Sequence, residues 1–249
     1  MLDYDKEAHV YDEKRGGEAR AAAAARALLG LVPNDARRLL DMACGTGIVT
    51  RRLAAARPAT RVTGTDLAPG MARKAAGRLP GAVLVADSRQ LPFPDGIFDA
   101  VTSVWLLHLL GGPDDVRRVV AECARVLRPG GVYVTTVDKS AAHDVGSDID
   151  AVLASRPRRP AVDDAGTVEA IAAGQGLRPA GRSGFPGRGQ GRSPRSTVAD
   201  LRRGWFTQLP PGEPLTEYFA GRLAALPDQE RPRPDPEFTL RAFRKAPVG

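Results

Sequence analysis

Three aspartates and two glycines are the residues best placed to do chemistry in this sequence. Asp41 follows a short apolar segment, Asp66 ends a second such segment, and Asp87 ends a third. Gly45 and Gly47 come shortly after Asp41, and a run of good helix formers follows them. Carboxylates accept hydrogen bonds from hydroxyl and amino groups, and glycines let a backbone approach a ligand closely. The combination predicts a site that holds a polar, nucleotide-like ligand.

Alternating strands and helices must position these residues. Apolar segments predict strands at 39–42, 62–66, 82–87, 98–104 and 132–137, and helical spacing predicts helices at 18–29, 51–56, 71–79 and 114–127. Strands joined in this way form a parallel sheet covered by helices on both faces. We therefore expect a doubly wound α/β fold with the three aspartates along the edge where such sheets bind ligands.

The alternation is weaker beyond residue 138. The elements predicted there are a helix at 168–173, a strand at 177–185, a flexible glycine-rich loop at 184–194, helices at 198–209 and 215–226, and a last strand at 238–243. Aromatic residues in the two late helices suit a lid over an organic molecule. The alternative is a helix pair that only covers the edge of the sheet.

Four motifs occur in order along the chain: Leu-Asp-Met-Ala-Cys-Gly-Thr-Gly at 40–47, Gly-Thr-Asp-Leu-Ala-Pro-Gly-Met at 64–71, the segment 86–99, and Arg-Val-Leu-Arg-Pro-Gly-Gly at 125–131. Together they resemble the class I S-adenosylmethionine-dependent methyltransferases, most closely the small-molecule branch that includes the UbiE-like enzymes of quinone biosynthesis. The resemblance implies S-adenosylmethionine as cofactor and S-adenosylhomocysteine as product. It also implies a Rossmann-like sheet of seven strands, with the last strand inserted antiparallel between the fifth and the sixth.

The resemblance also implies a set of cofactor-binding residues. By position in the motifs they are Tyr4, Tyr11, Asp41, Ala43, Gly45, Gly47, Asp66, Leu67, Met71, Asp87, Ser88 and Ser103. Asp41 would help to hold the amino group of the methionine part, and Asp66 would bind both ribose hydroxyls. Leu67 and Met71 would flank the adenine, and Asp87 would accept from its exocyclic amine with Ser88 alongside.

Four of these positions have features of their own. Ser103, at the end of the fourth predicted strand, would face the methionine carboxyl end, and Ala43 stands where many relatives have glycine. Tyr4 and Tyr11 match a Tyr-Asp arm that folds over the cofactor in relatives, where an aromatic face beside a sulfonium gains a cation–π contact. The alternative is that two half-exposed tyrosines anchor a terminal arm.

Two histidines are candidate general bases. Methyl transfer from a sulfonium requires mainly alignment and exclusion of water, and a base is needed only if the acceptor must lose a proton. His108 follows the fourth predicted strand and His143 follows the fifth. Each has the alternative of being a hydrogen-bonded packing residue. Trp105 is a candidate for the wall of the acceptor site, with buried packing as the simpler account.

The length of 249 residues allows one substantial core. We expect a single domain with an N-terminal cap at 1–30, a cofactor-binding core at 31–138, acceptor-side and lid elements at 139–235, and the final strand at 236–249. No apolar run approaches the roughly 20 residues of a membrane span, and the first residues lack the pattern of a secretion signal. The two cysteines do not lie at metal-site spacing from other potential metal ligands. We expect a cytoplasmic protein without a metal site.

Composition and motifs weigh against other functions. The net charge of +7 permits a nucleic-acid partner, but aromatic residues make up only 5% and offer few stacking platforms. A dehydrogenase is expected to have a third glycine where Thr50 stands. Binding of the cofactor without methyl transfer stays open, as does the oligomeric state. The resemblance implies methyl transfer to the oxygen, nitrogen or carbon of a small, fairly apolar organic acceptor in secondary or quinone-like metabolism.

Overall fold

The computed structural model describes residues 4–9, 11–14, 16–206 and 208–247. A seven-stranded sheet forms its centre, with the strand order β3-β2-β1-β4-β5-β7-β6. The strands are β1 (Arg38–Met42), β2 (Arg61–Asp66), β3 (Val83–Val85), β4 (Phe98–Ser103), β5 (Leu127–Val137), β6 (Leu177–Pro186) and β7 (Glu237–Lys245). Strand β7 pairs antiparallel with both β5 and β6, and the other pairs are parallel. The predicted fold class, including the inserted antiparallel strand, is confirmed.

The helices lie between the strands and before the sheet. They are α1 (Tyr4–Glu7), α2 (Tyr11–Lys14), α3 (Gly17–Leu29), α4 (Thr50–Ala56), α5 (Pro69–Arg78), α6 (Pro113–Val126), α7 (Asp148–Leu153), α8 (Ala165–Gly174), α9 (Pro194–Arg202) and α10 (Pro214–Ala224). Short 3-10 turns occur at Leu107–Leu109 and Ala141–His143. Within the described ranges, no helix combines the length and apolar composition that crossing a membrane requires.

Two apolar layers sandwich the sheet because its strands alternate side chains between the faces. Helices α6 and α8 pack with Val101 and Tyr133 on one face. Helices α3 and α4 pack with Leu39 and Ala100 on the other face. Helices α7, α9 and α10 form a third apolar cluster of their own, which is the part of the chain predicted to form a lid.

Two predicted elements have boundaries that differ from the structure by four residues or more. Strand β5 begins at Leu127 instead of residue 132, because Leu127 pairs with Phe98 and the register then shifts before Ala100. The proline and glycines at 129–131 therefore lie within an irregular strand instead of ending a helix. The predicted helix at 198–209 is instead α9, which begins at Pro194 behind a capping box of Ser193 and Ser196 and ends at Arg202.

Candidate functional site

A turn between β1 and α4 lies against the end of β2 at the carboxyl edge of the sheet. The backbone N–H of Gly45 donates to Oδ2 of Asp66 over 2.7 Å, and the N–H of Ala68 donates to Oδ1 over 2.9 Å. Asp66 thus fixes both the glycine turn and the start of α5. Burial raises the pKa of Asp66 above its usual value, although the hydrogen bonds from Ala68 and Gly45 oppose the rise.

Three residues of the turn have left-handed backbone conformations. The φ angles are 50° at Ala43, 57° at Gly45 and 73° at Gly47. Ala43 therefore bears the steric cost of a Cβ in this region, which a glycine at this position would avoid. A Cβ on Gly47 would lie 2.9 Å from the Cβ of Ala75, whereas a Cβ on Gly45 would meet nothing within 4 Å. Gly47 is therefore needed for packing on α5, and Gly45 borders open space.

We expect Gly47→Ala to reduce the free energy of unfolding by about 2–4 kcal/mol, from backbone strain plus the clash with Ala75. Gly45→Ala is the matched control, because it adds the same methyl group at a similar φ but meets no neighbour, and its expected loss is about 1 kcal/mol. Chemical denaturation of both variants measures the difference. Equal losses would contradict the distinction between a packing glycine and an open one.

Asp41 is buried and ties three elements together. Its Oδ2 accepts from the hydroxyl of Thr50 over 2.6 Å, and its Oδ1 accepts from the hydroxyl of Thr102 over 2.8 Å. The carboxylate therefore links β1 to the start of α4 and to β4. Burial raises the pKa of Asp41 to about 6, and the charge of Asp66 adds to the rise. A cationic group nearby would stabilise the ionised form of the Asp41 carboxyl.

Asp87 lies after β3 and already has a partner. Arg89 donates from Nε to Oδ1 over 3.0 Å and from Nη2 to Oδ2 over 2.7 Å, and it also reaches Asp115 at 3.3 Å. The hydrogen bond from Arg89 lowers the pKa of Asp87. An amine that binds Asp87 must therefore share the carboxylate with this guanidinium.

The remaining predicted cofactor residues differ in exposure. Leu67 is 61% exposed beside Asp66, while Met71 is buried on α5 and Ser88 is buried after β3. The hydroxyl of Ser103 is also buried, where it lies 2.9 Å from the hydroxyls of both Tyr133 and Thr135. The Ser103 side chain thus faces the α6 side of the sheet, and its predicted contact with a ligand would have to involve its backbone.

The N-terminal arm, α1 and α2, is fastened over the glycine turn. Oδ1 of Asp5 accepts from the N–H of Gly70 over 2.6 Å, and Asp12 accepts from Thr46 over 2.5 Å and from Arg78 over 2.6 Å. Burial raises the pKa of Asp12, but the hydrogen bonds from Thr46 and Arg78 outweigh it, so the pKa lies below its usual value.

The two tyrosines of this arm form a pair. The rings of Tyr4 and Tyr11 lie 6.1 Å apart between their centroids, and both side chains are half-buried. The sequence prediction singled out the tyrosines and missed the acids that fasten the arm, Asp5 and Asp12. The signal was present in the repeated Tyr-Asp pair.

An aromatic series leads from the end of β4 across the edge of the sheet. Trp105 has a φ of 60°, and its indole Nε1 is buried without a hydrogen-bond partner in the described part of the chain. The guanidinium of Arg20 lies 4.1 Å from the Trp105 ring centroid. Ring centroids are 5.6 Å apart for Trp105 and Phe238, and 5.7 Å apart for Phe238 and His143. Trp105 thus packs in this series, as its simpler interpretation predicted, although its N–H is unsatisfied.

The two candidate bases lie in different surroundings. His108 is part of the 3-10 turn that follows β4, whereas His143 ends the 3-10 turn after β5 and borders a small surface cleft. Burial and the charges of Asp41 and Asp66 raise the pKa of the Cys44 thiol, so it is not a ready nucleophile. No group of three or more potential metal ligands occurs among the residues that the structure describes.

Residues 40–135 match the family model described as a methyltransferase domain. The chain is 39% identical over 99 residues to the ubiquinone/menaquinone biosynthesis C-methyltransferase UbiE of Desulfotalea psychrophila, covering 39% of each protein. It is 41% identical over 100 residues to the malonyl-[acyl-carrier protein] O-methyltransferase of Geobacter sulfurreducens, covering 39% of this chain and 36% of that protein. The chain thus spans less than half of the length of these relatives.

A solved structure extends the likeness to the whole fold. The [4+2]-cyclase SpnF superimposes with a TM-score of 0.59 over 99% of this chain and 94% of that one, at 21% identity. At this identity the likeness concerns the fold alone.

Proposed function

We propose that the chain transfers a methyl group from S-adenosylmethionine to a small organic acceptor, because residues 40–135 match the family model of a methyltransferase domain and 99 residues are similar to a C-methyltransferase of quinone biosynthesis. One observation carries the proposal. The carboxylate of Asp66, at the end of β2, is held against the N–H of Gly45 at 2.7 Å, beside the open space that Gly45 borders. This places an acid suited to a ribose diol next to a backbone that a ligand can approach.

Different residues at the carboxyl edge of the sheet would bind different parts of S-adenosylmethionine. Asp66 would accept from the ribose hydroxyls, and the buried charge of Asp41 would favour the amino group of the methionine part. Gly45 and Ala43 would leave room for the ligand beside the turn, and Gly47, whose missing side chain allows the packing on α5, would contribute its backbone. When bound, the cofactor supplies a methyl group that is already activated on a sulfonium.

The adenine side is proposed from the same edge. Leu67 is exposed and would cover one face of the adenine ring. Met71, in the first turn of α5, is buried. Asp87 would accept from the exocyclic amine while it keeps Arg89, and Ser88 lies alongside. Tyr4 and Tyr11 would close the site from above because their arm is fastened to the glycine turn through Asp12.

The acceptor is proposed to be a small organic molecule. Of the two relatives, one is named for ubiquinone/menaquinone biosynthesis, which supports this proposal, and the other for a malonyl group held on an acyl-carrier protein. His143 and His108 are the proposed bases if the acceptor must lose a proton, and Ser103 is proposed as a backbone contact.

A second candidate is that the chain binds S-adenosylmethionine and catalyses another reaction. The observation that favours it is the shared fold of a [4+2]-cyclase. Nothing in the site requires methyl transfer, since no obligatory base is needed for binding.

Two measurements test the proposal together. Calorimetric titration with S-adenosylhomocysteine is expected to show saturable binding at one site. Incubation with methyl-labelled S-adenosylmethionine and a metabolite extract from the source organism is expected to move label into a small molecule, and excess S-adenosylhomocysteine should suppress the transfer. Binding without transfer of label would favour the second candidate, and absence of binding would contradict both.

A further inference from the structure

Strands β6 and β7 bring four arginines into two directly opposed pairs. Arg178 lies opposite Arg244, and Arg182 lies opposite Arg241, in the register of this antiparallel pair of strands. Side chains that are directly opposite share one face of the sheet, with their Cβ atoms about 5 Å apart, and like charges in this arrangement destabilise the pairing. If stability alone determined the residue types, an acid would be expected opposite each arginine of β6.

The charges of the two pairs are not neutralised within the protein. In the described part of the chain, no carboxylate forms an ion pair with any of the four arginines. Arg244 donates from Nη1 to the carbonyl oxygen of Gly130 over 2.8 Å, and the buried Nε of Arg241 has no hydrogen-bond partner among the same residues. Glu237 is the acidic residue of the two strands, and it lies opposite Pro186 at the end of the pair. The positive charge is therefore available to a partner.

Strand β6 forms a free edge of the sheet. Among the described residues it pairs with β7 alone, and residues 178–182 are exposed. The outward N–H and C=O groups of an edge strand are a template for a further strand. Charged side chains on an edge strand can prevent unwanted pairing, which would account for Arg178 and Arg182. It does not account for Arg241 and Arg244, because β7 is an interior strand.

The two arginine pairs lie on opposite faces of the sheet. Arg241 is two residues before Phe243, which packs in the apolar layer of α6 and α8. Arg244 is two residues after Ala242, which packs in the apolar layer of α3 and α4. Because side chains alternate along a strand, Arg241 shares the face of Phe243 and Arg244 shares the face of Ala242. A partner that contacts both pairs must therefore reach both faces of the sheet.

An extended acidic polypeptide is the partner that matches this surface. A strand added to β6 alternates its side chains between the faces, so carboxylates three residues apart can approach both arginine pairs. A flat lipid surface approaches one face of a sheet at a time. The aromatic residues of β6 and β7, Phe185, Phe238 and Phe243, are buried and offer no stacking platform to nucleic-acid bases.

We propose that β6 is a docking edge for an extended acidic segment of a partner protein. The segment pairs with the backbone of residues 180–184 and places carboxylates beside both arginine pairs, where they relieve the repulsion within each pair. Pairing is limited to this stretch because Pro179 has no N–H and Pro186 ends the strand. This surface lies away from the glycine turn, and the inference does not rest on the proposed function.

Fluorescence anisotropy with labelled heptapeptides tests the proposal on the full-length chain. The probe is Glu-Val-Thr-Glu-Val-Thr-Glu, in which the glutamates point alternately to the two faces of a strand. A peptide of the same composition, Glu-Val-Glu-Val-Glu-Thr-Thr, points all of its glutamates to one face. A third peptide is the probe with N-methyl groups on its valines and threonines, so it keeps the charge but cannot pair as a strand.

The variants are Arg178→Gln and Arg182→Gln, which change exposed side chains of β6. Arg73→Gln is the matched control, because Arg73 is an exposed arginine of α5, outside the sheet. We expect saturable binding of the probe at low ionic strength, weakened about threefold by each β6 variant and about tenfold by the two together, but less than twofold by Arg73→Gln. Thermal unfolding confirms that each variant is folded.

The other peptides separate strand pairing from simple attraction of charge. We expect the peptide with its glutamates on one face to bind about threefold more weakly than the probe, and the N-methylated peptide at least tenfold more weakly. A duplex DNA is the competing polyanion. The proposal would be overturned by absence of saturable probe binding, by equal affinities of the probe and either other peptide, or by equal losses in the β6 variants and Arg73→Gln. Tighter binding of the duplex, weakened by the same β6 variants, would also overturn it and would assign the surface to nucleic acid.

Discussion

Replacing Asp66 with alanine is expected to weaken the binding of S-adenosylhomocysteine at least tenfold. The change removes the proposed acceptor for the ribose hydroxyls, and it leaves the N–H groups of Gly45 and Ala68 without the carboxylate that now fixes them. Loss of a charge-assisted hydrogen bond costs roughly 1.5–3 kcal/mol, which corresponds to about a tenfold to hundredfold change in the dissociation constant. Calorimetric titration measures the change.

Asp35→Ala is the control for this variant. Asp35 is an exposed aspartate before β1, at the opposite edge of the sheet, and its removal changes the net charge equally. Thermal unfolding of both variants separates a loss of binding from a loss of folded protein. Unchanged affinity in a folded Asp66→Ala variant would refute the ribose contact, and with it the observation on which the proposed function depends.

The second large effect is a pH dependence of stability that comes from Asp41. Its pKa in the folded protein is about 6, above the ordinary value of 3.8. The folded state therefore binds this proton more tightly than the unfolded state does. The resulting stabilisation is complete below about pH 4 and is lost as the pH rises through 6, by about 3 kcal/mol in total.

Asp41→Asn isolates this contribution because the amide cannot ionise. We expect the free energy of unfolding of the wild type, minus that of the variant, to fall as the pH rises from 4 to 7. Urea denaturation at unit pH steps measures it. A difference that is flat across this range would show that Asp41 does not carry a raised pKa.

The sequence was most informative where a local pattern has only one structural solution. An apolar segment, a Gly-x-Gly turn and a helix predicted the glycine turn, and the motif order predicted the inserted strand β7 through family resemblance. The burial of the Ser103 hydroxyl could also have been predicted from the sequence. Val101 and Ser103 alternate to the same face of β4, and Val101 belongs to the apolar layer under α6.

Other structural features could not be predicted because they depend on contacts between residues that are distant in the sequence, or on which of several possible partners a side chain contacts. Strand β5 begins at Leu127 because of its pairing with Phe98, which no local pattern in 127–131 indicates. Arg89 could have pointed to solvent, but Asp87 and Asp115 together hold it at the edge. Asp12 meets Arg78 and Thr46 only because the arm crosses α5, so its role could not be read from its sequence neighbours.

The insertion of β7 between β5 and β6 has a consequence for the order of folding. Among the residues that the structure describes, strand β6 pairs with β7 alone, so β6 has no neighbouring strand until residues 237–245 have been synthesised. Strand β7 also contributes Phe238 to one apolar layer and Phe243 to the other. Contacts between segments so far apart in the chain form late, because a long loop must close first. On the ribosome, the half of the sheet built from β5, β7 and β6 would be assembled last, after the strands around the glycine turn.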